Sequence, residues 1–217
     1  MAMERVREMP VGLAFPGAGA GGSGKKERIS RNFDVAAKSA KHRLFVGLFP
    51  PPAVRRRLVL LRDELGGAGQ VSDDRLHLTL FLTADLSVPP PASLLADLRA
   101  ALGEVRAPAA EIVLTQMRCF PNGGGAELVP GMALPGLRDL HAAIVRACAR
   151  RGIAAMPGKA VLRPHVTLVY RPAEPRNGSI EPIRWTAREI VLIHSHLGQH
   201  RHEERGRWTL PEQLGLL

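Results

Sequence analysis

Aromatic residues make up only 4% of the 217-residue chain, and that scarcity bounds what it can do with nucleic acid. Extended single-strand binders stack successive bases on aromatic faces. Six Phe, two Trp and one Tyr leave little for a long stacking groove, so recognition of a terminal nucleotide is the better expectation. Cysteine is scarcer still. Cys119 and Cys148 make no disulfide framework, and two reduced thiols fit a cytoplasmic protein. No apolar run approaches the ~18 residues of a membrane span. Near the N-terminus, Glu4, Arg5, Arg7 and Glu8 precede a broken, Gly/Pro-rich stretch, so no secretory leader is expected. Acidic residues are in deficit, 20 against 30 Lys and Arg, for a net charge of +10. The excess favours an anionic partner, with nucleic acid first. It is a weak pointer alone, because Arg- and Ala-rich chains also follow from a genome's base composition.

What is present falls into two parts. Residues 1–41 carry +4 of the net charge, and "FPGAGAGGSGKKERISR" has no sustained period, so a flexible basic extension is expected there. Within it, "GAGGSGKK" approaches a phosphate-binding loop, but Lys26 stands where the magnesium-binding Ser or Thr belongs, and no strand–loop–helix unit surrounds it. Residues 42–217 read as one domain of alternating elements. Strands are expected at "HRLFVGLF", "LHLTLFLT", "EIVLTQMRCF", "AELVP", "HVTLVY", "EIVLIHSHLG" and "RWTL". Helices are expected at "PPAVRRRLVLLRDELGG", "PPPASLLADLRAALGE" and "ALPGLRDLHAAIVRACARRG", with "NGGG" as a turn and His141 as an ordinary half-exposed helix residue. The order is α+β, with a hint of internal duplication.

The stretch "RPHVTLVY" puts His165 and Thr167 on one face of a strand, with Val166 and Leu168 on the other. "LHLTLFLT" repeats it with His77 and Thr79. From composition, roughly 0.1 such His-x-Ser/Thr with apolar flanks is expected by chance, so two are not an accident. They lie 88 residues apart, half the length of the 42–217 segment, which suggests two related lobes facing each other. Two histidines across a cleft supply a base and an acid near neutral pH, and the two hydroxyls can donate to phosphoryl oxygens. The chemistry points to a phosphodiester, and a strained cyclic one suits in-line attack between opposed groups.

At these residues the chain resembles the two-histidine phosphoesterases, and in particular their RNA 2′,3′-cyclic phosphodiesterase branch, also called 2′-5′ RNA ligases. The resemblance runs from about Arg43 to Leu210 and takes in "RLFVGLFPP", "LHLTL", "RPHVTL" and "EIVLIHSHLG…RWTL". It implies a bilobal, pseudo-symmetric α+β fold. Two antiparallel sheets would face a central cleft, with helices outside. It also implies opening of a 2′,3′-cyclic phosphate at an RNA end to leave a 2′-phosphate, with no cofactor and no metal. His77 would protonate the departing 3′ oxygen, His165 would activate water, and Thr79 and Thr167 would hold the phosphate. The residues themselves leave open which histidine is the acid. A monomer, with no membrane association, is expected.

The chain departs from the family after its first motif, where Phe81 and Leu82 arrive one residue early, so a shortened strand end or an altered bulge is expected. After the second motif a basic residue often approaches the phosphate, and strict alternation nominates Arg171 rather than Tyr170. Three rival functions stay open. "HSHLGQHRH" offers His194, His196, His200 and His202, enough nitrogens for a metal-dependent hydrolase. Alternation puts only His194 and His196 together, and surface or groove-facing histidines are the expectation. A non-catalytic RNA-binding module has no need of two proton-transfer groups. A 2′,5′-oligonucleotide or nucleotide cyclic phosphodiesterase would use the same four residues.

Overall fold

Apolar runs too short for a helix become strands here, and the longer runs with leucine every third or fourth residue become helices. The computed structural model describes residues 41–120 and 125–212. In order they form β1 (His42–Leu48), α1 (Pro52–Leu65), β2 (Ala68–Gln70), β3 (Leu78–Leu82), α2 (Ala92–Gly103) and β4 (Ala110–Cys119). Then follow β5 (Ala126–Val129), α3 (Pro135–Ala149), β6 (Val166–Arg171), β7 (Gly178–Ala187), β8 (Glu189–His196) and β9 (Arg201–Thr209). Apart from Lys41, the basic extension lies outside the described residues, as do the loop at Gly19–Lys26 and most of the "NGGG" turn.

Each helix buries one stripe. Pro52 opens α1, where its missing N–H costs nothing, and Leu58, Arg62 and Leu65 form the buried face. The buried Arg62 is paired: Nη1 donates to Val71 O at 2.7 Å and to Asp73 at 2.5 Å, and Nε to Asp63 at 2.9 Å. α3 buries Leu137, Leu140, Ile144, Ala147 and Cys148 against β3 and β4. Burial pushes the Cys148 thiol up to about 11, which leaves it an inert core residue. α2 packs on α3 and β9, and α1 on β6 and β7. Fully buried leucines such as Leu44, Leu58, Leu78, Leu98, Leu128 and Leu168 fill the space between helices and sheet. Each contributes about 1.5–3 kcal/mol from burial.

Every strand pairing is antiparallel, in the order β7-β4-β5-β6-β3-β1-β8-β9, with β2 on β6. The mixed class and the antiparallel strands with helices agree with the sequence reading. Where two sheets were expected, the two groups of four strands run together as one sheet. They join at the paired residues Leu78 and Val166 of β3 and β6. The strands carrying the two His-x-Thr motifs are therefore neighbours at the centre of the molecule.

Three elements differ from expectation: the three-residue β2, where no strand was expected, and two strands at sheet edges. β7, expected as loop, spans ten residues despite Pro182, which an edge strand tolerates because its outward N–H is not needed. β9 extends well beyond "RWTL" through the charged "RHEERG", and charges of this kind guard an exposed edge against further pairing. Between α1 and β2 the chain turns at Gly67, at φ +89°, where an added Cβ would stand 2.1 Å from Arg171 O and 2.6 Å from Ala173 N. Gly67→Ala is expected to cost about 2–4 kcal/mol, read as a lower urea midpoint.

Candidate active site

One residue of register decides how the two motifs meet. With Leu78 opposite Val166, continuing the antiparallel ladder sets His77 against Thr167 and Thr79 against His165. Leu78 and Val166 go into the core, fully buried, and the two histidines and two threonines take the other face, partly exposed. All four line one cleft of about 520 Å³.

Past each threonine the strand carries the same irregularity. β1 pairs Gly47 with Thr79 and Val46 with Phe81, skipping Leu80; β5 pairs Glu127 with Thr167 and Ala126 with Val169, skipping Leu168. Each skipped leucine is a one-residue bulge, and a bulge reverses the alternation beyond it. Leu80 and Phe81 are therefore both buried, as are Leu168 and Val169, and the next residues, Leu82 and Tyr170, turn to the cleft. The bulge corrects the nomination of Arg171. Strict alternation would bring it to the cleft, but Arg171 ends β6 as an exposed residue paired with Ala68, and Tyr170 lines the cleft instead.

The two imidazoles are tethered alike. His77 donates from Nδ1 to Arg75 O at 2.6 Å, and His165 from Nδ1 to Arg163 O at 2.7 Å, each to the carbonyl two residues back. In neutral rings this leaves both Nε2 atoms as lone pairs toward the cleft. Thr79 Oγ1 lies 3.1 Å from His77 Nε2 and donates to it.

Their surroundings differ. His77 is stacked on Phe45, centroids 4.6 Å apart at 22°, and on Phe49 at 5.5 Å. Burial, with the charges of His165 and Arg75 nearby, brings the His77 pKa down to about 4 against the carbonyl bond that raises it. His165 is more open, and its Nε2 lies 3.6 Å from Glu127 Oε1, an ion pair when the ring is protonated. Glu127 escaped sequence reading. It is the acid of an otherwise apolar strand, "AELV", and its Oε2 is buried with no hydrogen-bond partner among the described residues.

Cations are gathered here too. Arg43 is held by both oxygens of Asp85, at 2.6 and 2.7 Å. Arg75, Lys159 and Arg163 also line the cleft, and among the described residues none of the three is in an ion pair. Arg75 Nε is buried without a partner among the described residues.

The C-terminal histidines disperse. His202 enters the cleft, edge-on to Phe45 at 5.2 Å and to His77 at 5.7 Å, and burial brings its pKa down to about 4. His200 lies outside against Arg75 Nη1, while His194 and His196 turn to the other side of the sheet. His194 is also lowered to about 4 by burial. For His77, His194 and His202 the native pKa is below the unfolded ~6.5, so the unfolded chain binds more protons in between. Their contribution to stability is present above pH 6.5 and lost as pH falls toward 4. The urea midpoint at pH 5 is accordingly expected to lie below that at pH 7.

Among solved structures the chain is similar to E. coli LigT in its apo form, at 22% identity and a TM-score of 0.64 over 80% of this chain and 99% of that one. LigT complexed with 3′-AMP gives 22% and 0.61 over 79% and 98%, and TT0787 of Thermus thermophilus gives 23% and 0.63 over 79% and 100%. At these identities the likeness is one of fold. No curated protein matches the sequence. The model of the 2′-5′ RNA ligase superfamily matches residues 50–199, more than half of the chain. The chain belongs to that superfamily.

Proposed function

We propose that the segment from residue 42 to 217 opens 2′,3′-cyclic phosphates at RNA ends to leave 2′-phosphates. The observation that carries this reading is the matched pair of histidines, each tethered through Nδ1 with Nε2 left as an acceptor on the cleft face, and the two threonines on that same face. Water attacks phosphorus in line with the P–O3′ bond. One imidazole takes the water's proton, the P–O3′ bond breaks, and the other imidazole protonates O3′. The two rings finish with exchanged protonation states and reset through solvent. Thr79 and Thr167 donate to the non-bridging oxygens, and Arg75 offsets their charge.

The surroundings favour a division of labour opposite to the one the resemblance implies. His77, neutral and packed on phenylalanines, is ready to accept a proton; His165, with Glu127 at 3.6 Å, is placed to carry one. A bell-shaped dependence of kcat/KM on pH follows. Arg75→Gln keeps the carbonyl that tethers His77 and removes the guanidinium. It is expected to raise KM by about 10- to 100-fold, as loss of a charge-assisted bond to phosphate does.

The test compares kcat/KM for three substrates: an RNA with a 2′,3′-cyclic phosphate end, a nucleoside 2′,3′-cyclic phosphate, and a 2′,5′-linked oligonucleotide. The cyclic-ended RNA is expected to be preferred. A preference for the 2′,5′ linkage would overturn the assignment of substrate and leave the four-residue chemistry in place.

A further inference from the structure

Three imidazoles on the opposite side of the sheet take no part in the reaction above. On β1 and β8, Arg43, Phe45 and Ser195 face the cleft, so their neighbours His42, His194 and His196 face away from it. His42 pairs with His196, and His194 pairs with Leu44 two residues along, so the rings gather at one end of two adjacent strands. One ligating nitrogen from each lies within 4.8 Å of the others. His42 Nδ1 is 3.0 Å from His194 Nε2, and the His194 and His196 ring centroids are 4.2 Å apart. His194 is 3% exposed, while His42 and His196 reach solvent in part. Glu203 stands behind them, with Oε1 3.1 Å from His196 Nε2 and Oε2 3.8 Å from His194 Nδ1. Arg201 and Arg205 pair with this carboxylate.

We propose that His42, His194 and His196 bind a divalent transition-metal ion of the zinc class, with Glu203 as the carboxylate that orients the ligands. Imidazole nitrogens suit such ions, and three of them leave a fourth, solvent-facing position for water. The separation of His42 Nδ1 and His194 Nε2 is already close to that of two ligands on a tetrahedral centre with bonds of about 2.0–2.1 Å. A ligating histidine commonly gives its other N–H to a carboxylate. His196 does so when Nε2 donates to Glu203, which leaves Nδ1 for the ion.

Without the ion, Arg205 Nη2 donates to His194 Nδ1 and Arg201 Nη2 to His196 Nε2, each at 3.2 Å, so His194 keeps its proton on Nε2 and gives it to His42. Binding replaces that bond. His194 gives up the Nε2 proton and takes one on Nδ1, His196 moves its proton from Nδ1 to Nε2, both toward Glu203, and the two guanidinium groups step aside. The ion pins β1 to β8 and touches no residue of the cleft.

The full-length protein, stripped with a chelator and dialysed, is titrated with Zn²⁺ against a chromophoric competitor, with bound metal counted by elemental analysis. One zinc per chain is expected, with Kd below about 1 µM and a melting temperature that rises on binding. His42→Ala and His196→Gln, both at partly exposed positions, are each expected to weaken binding by about 100-fold, and Glu203→Gln by about 10- to 100-fold. His77→Ala/His165→Ala is expected to bind as the wild type does. Absence of a site tighter than about 10 µM overturns the proposal. So does wild-type affinity in the folded His42→Ala and His196→Gln variants, or loss of zinc only from the cleft variant.

Discussion

His77→Ala and His165→Ala are each expected to lower kcat/KM for a 2′,3′-cyclic phosphate by about 10²–10⁴-fold, the range for removing one positioned acid or base. The double variant is expected to lose little more than the worse single one, because the two rings serve a single displacement and their effects do not add. Folding is expected to survive both changes. His165 is half-exposed, and truncating His77 removes a ring whose charged form the site already disfavours. Circular dichroism and melting curves check this. A folded variant of either kind with near-wild-type turnover would remove that histidine from the mechanism.

The second large effect separates the two roles. In a cyclic phosphate whose 3′ bridging oxygen is replaced by sulfur, the thiolate leaves without needing a proton. His165→Ala is expected to recover about 100-fold or more of its lost activity on this substrate, because it lacks only the acid. His77→Ala is expected to recover little, since water still has to be activated. Rescue of His77→Ala instead would restore the assignment implied by the family resemblance. The difference rests on particular neighbours: Phe45 and Phe49 against His77, and Glu127 at 3.6 Å from His165.

Much of this arrangement was legible before the fold was known. His-x-Thr with apolar flanks has a period of two, so it announced both the strand and the shared face of each histidine and threonine. The three helices were equally plain. What escaped was of three kinds. Edge strands β7 and β9 carry proline and charge because they must not pair further, and those residues imitate loop. The bulge at Leu80 was announced by the early arrival of Phe81 and Leu82, but the one at Leu168 leaves no mark in the sequence, and it reverses the strand beyond it and exchanges Arg171 for Tyr170 in the cleft. Partners on distant strands were also hidden. Glu127 reaches His165 from β5, and His42 meets His194 and His196 from a position 152 residues before the first of them. Local periodicity assigns a face to a residue; only the strand order says who else shares it.

On the function proposed above, the paired histidines open a cyclic phosphate between them. The most direct measurement is the product formed by the purified protein in EDTA from a short RNA ending in a 2′,3′-cyclic phosphate, with 2′- and 3′-phosphate ends resolved. The expected product is 2′-phosphate alone, formed at a rate that added zinc does not raise. A 3′-phosphate product, or turnover that appears only when zinc is supplied, would contradict it.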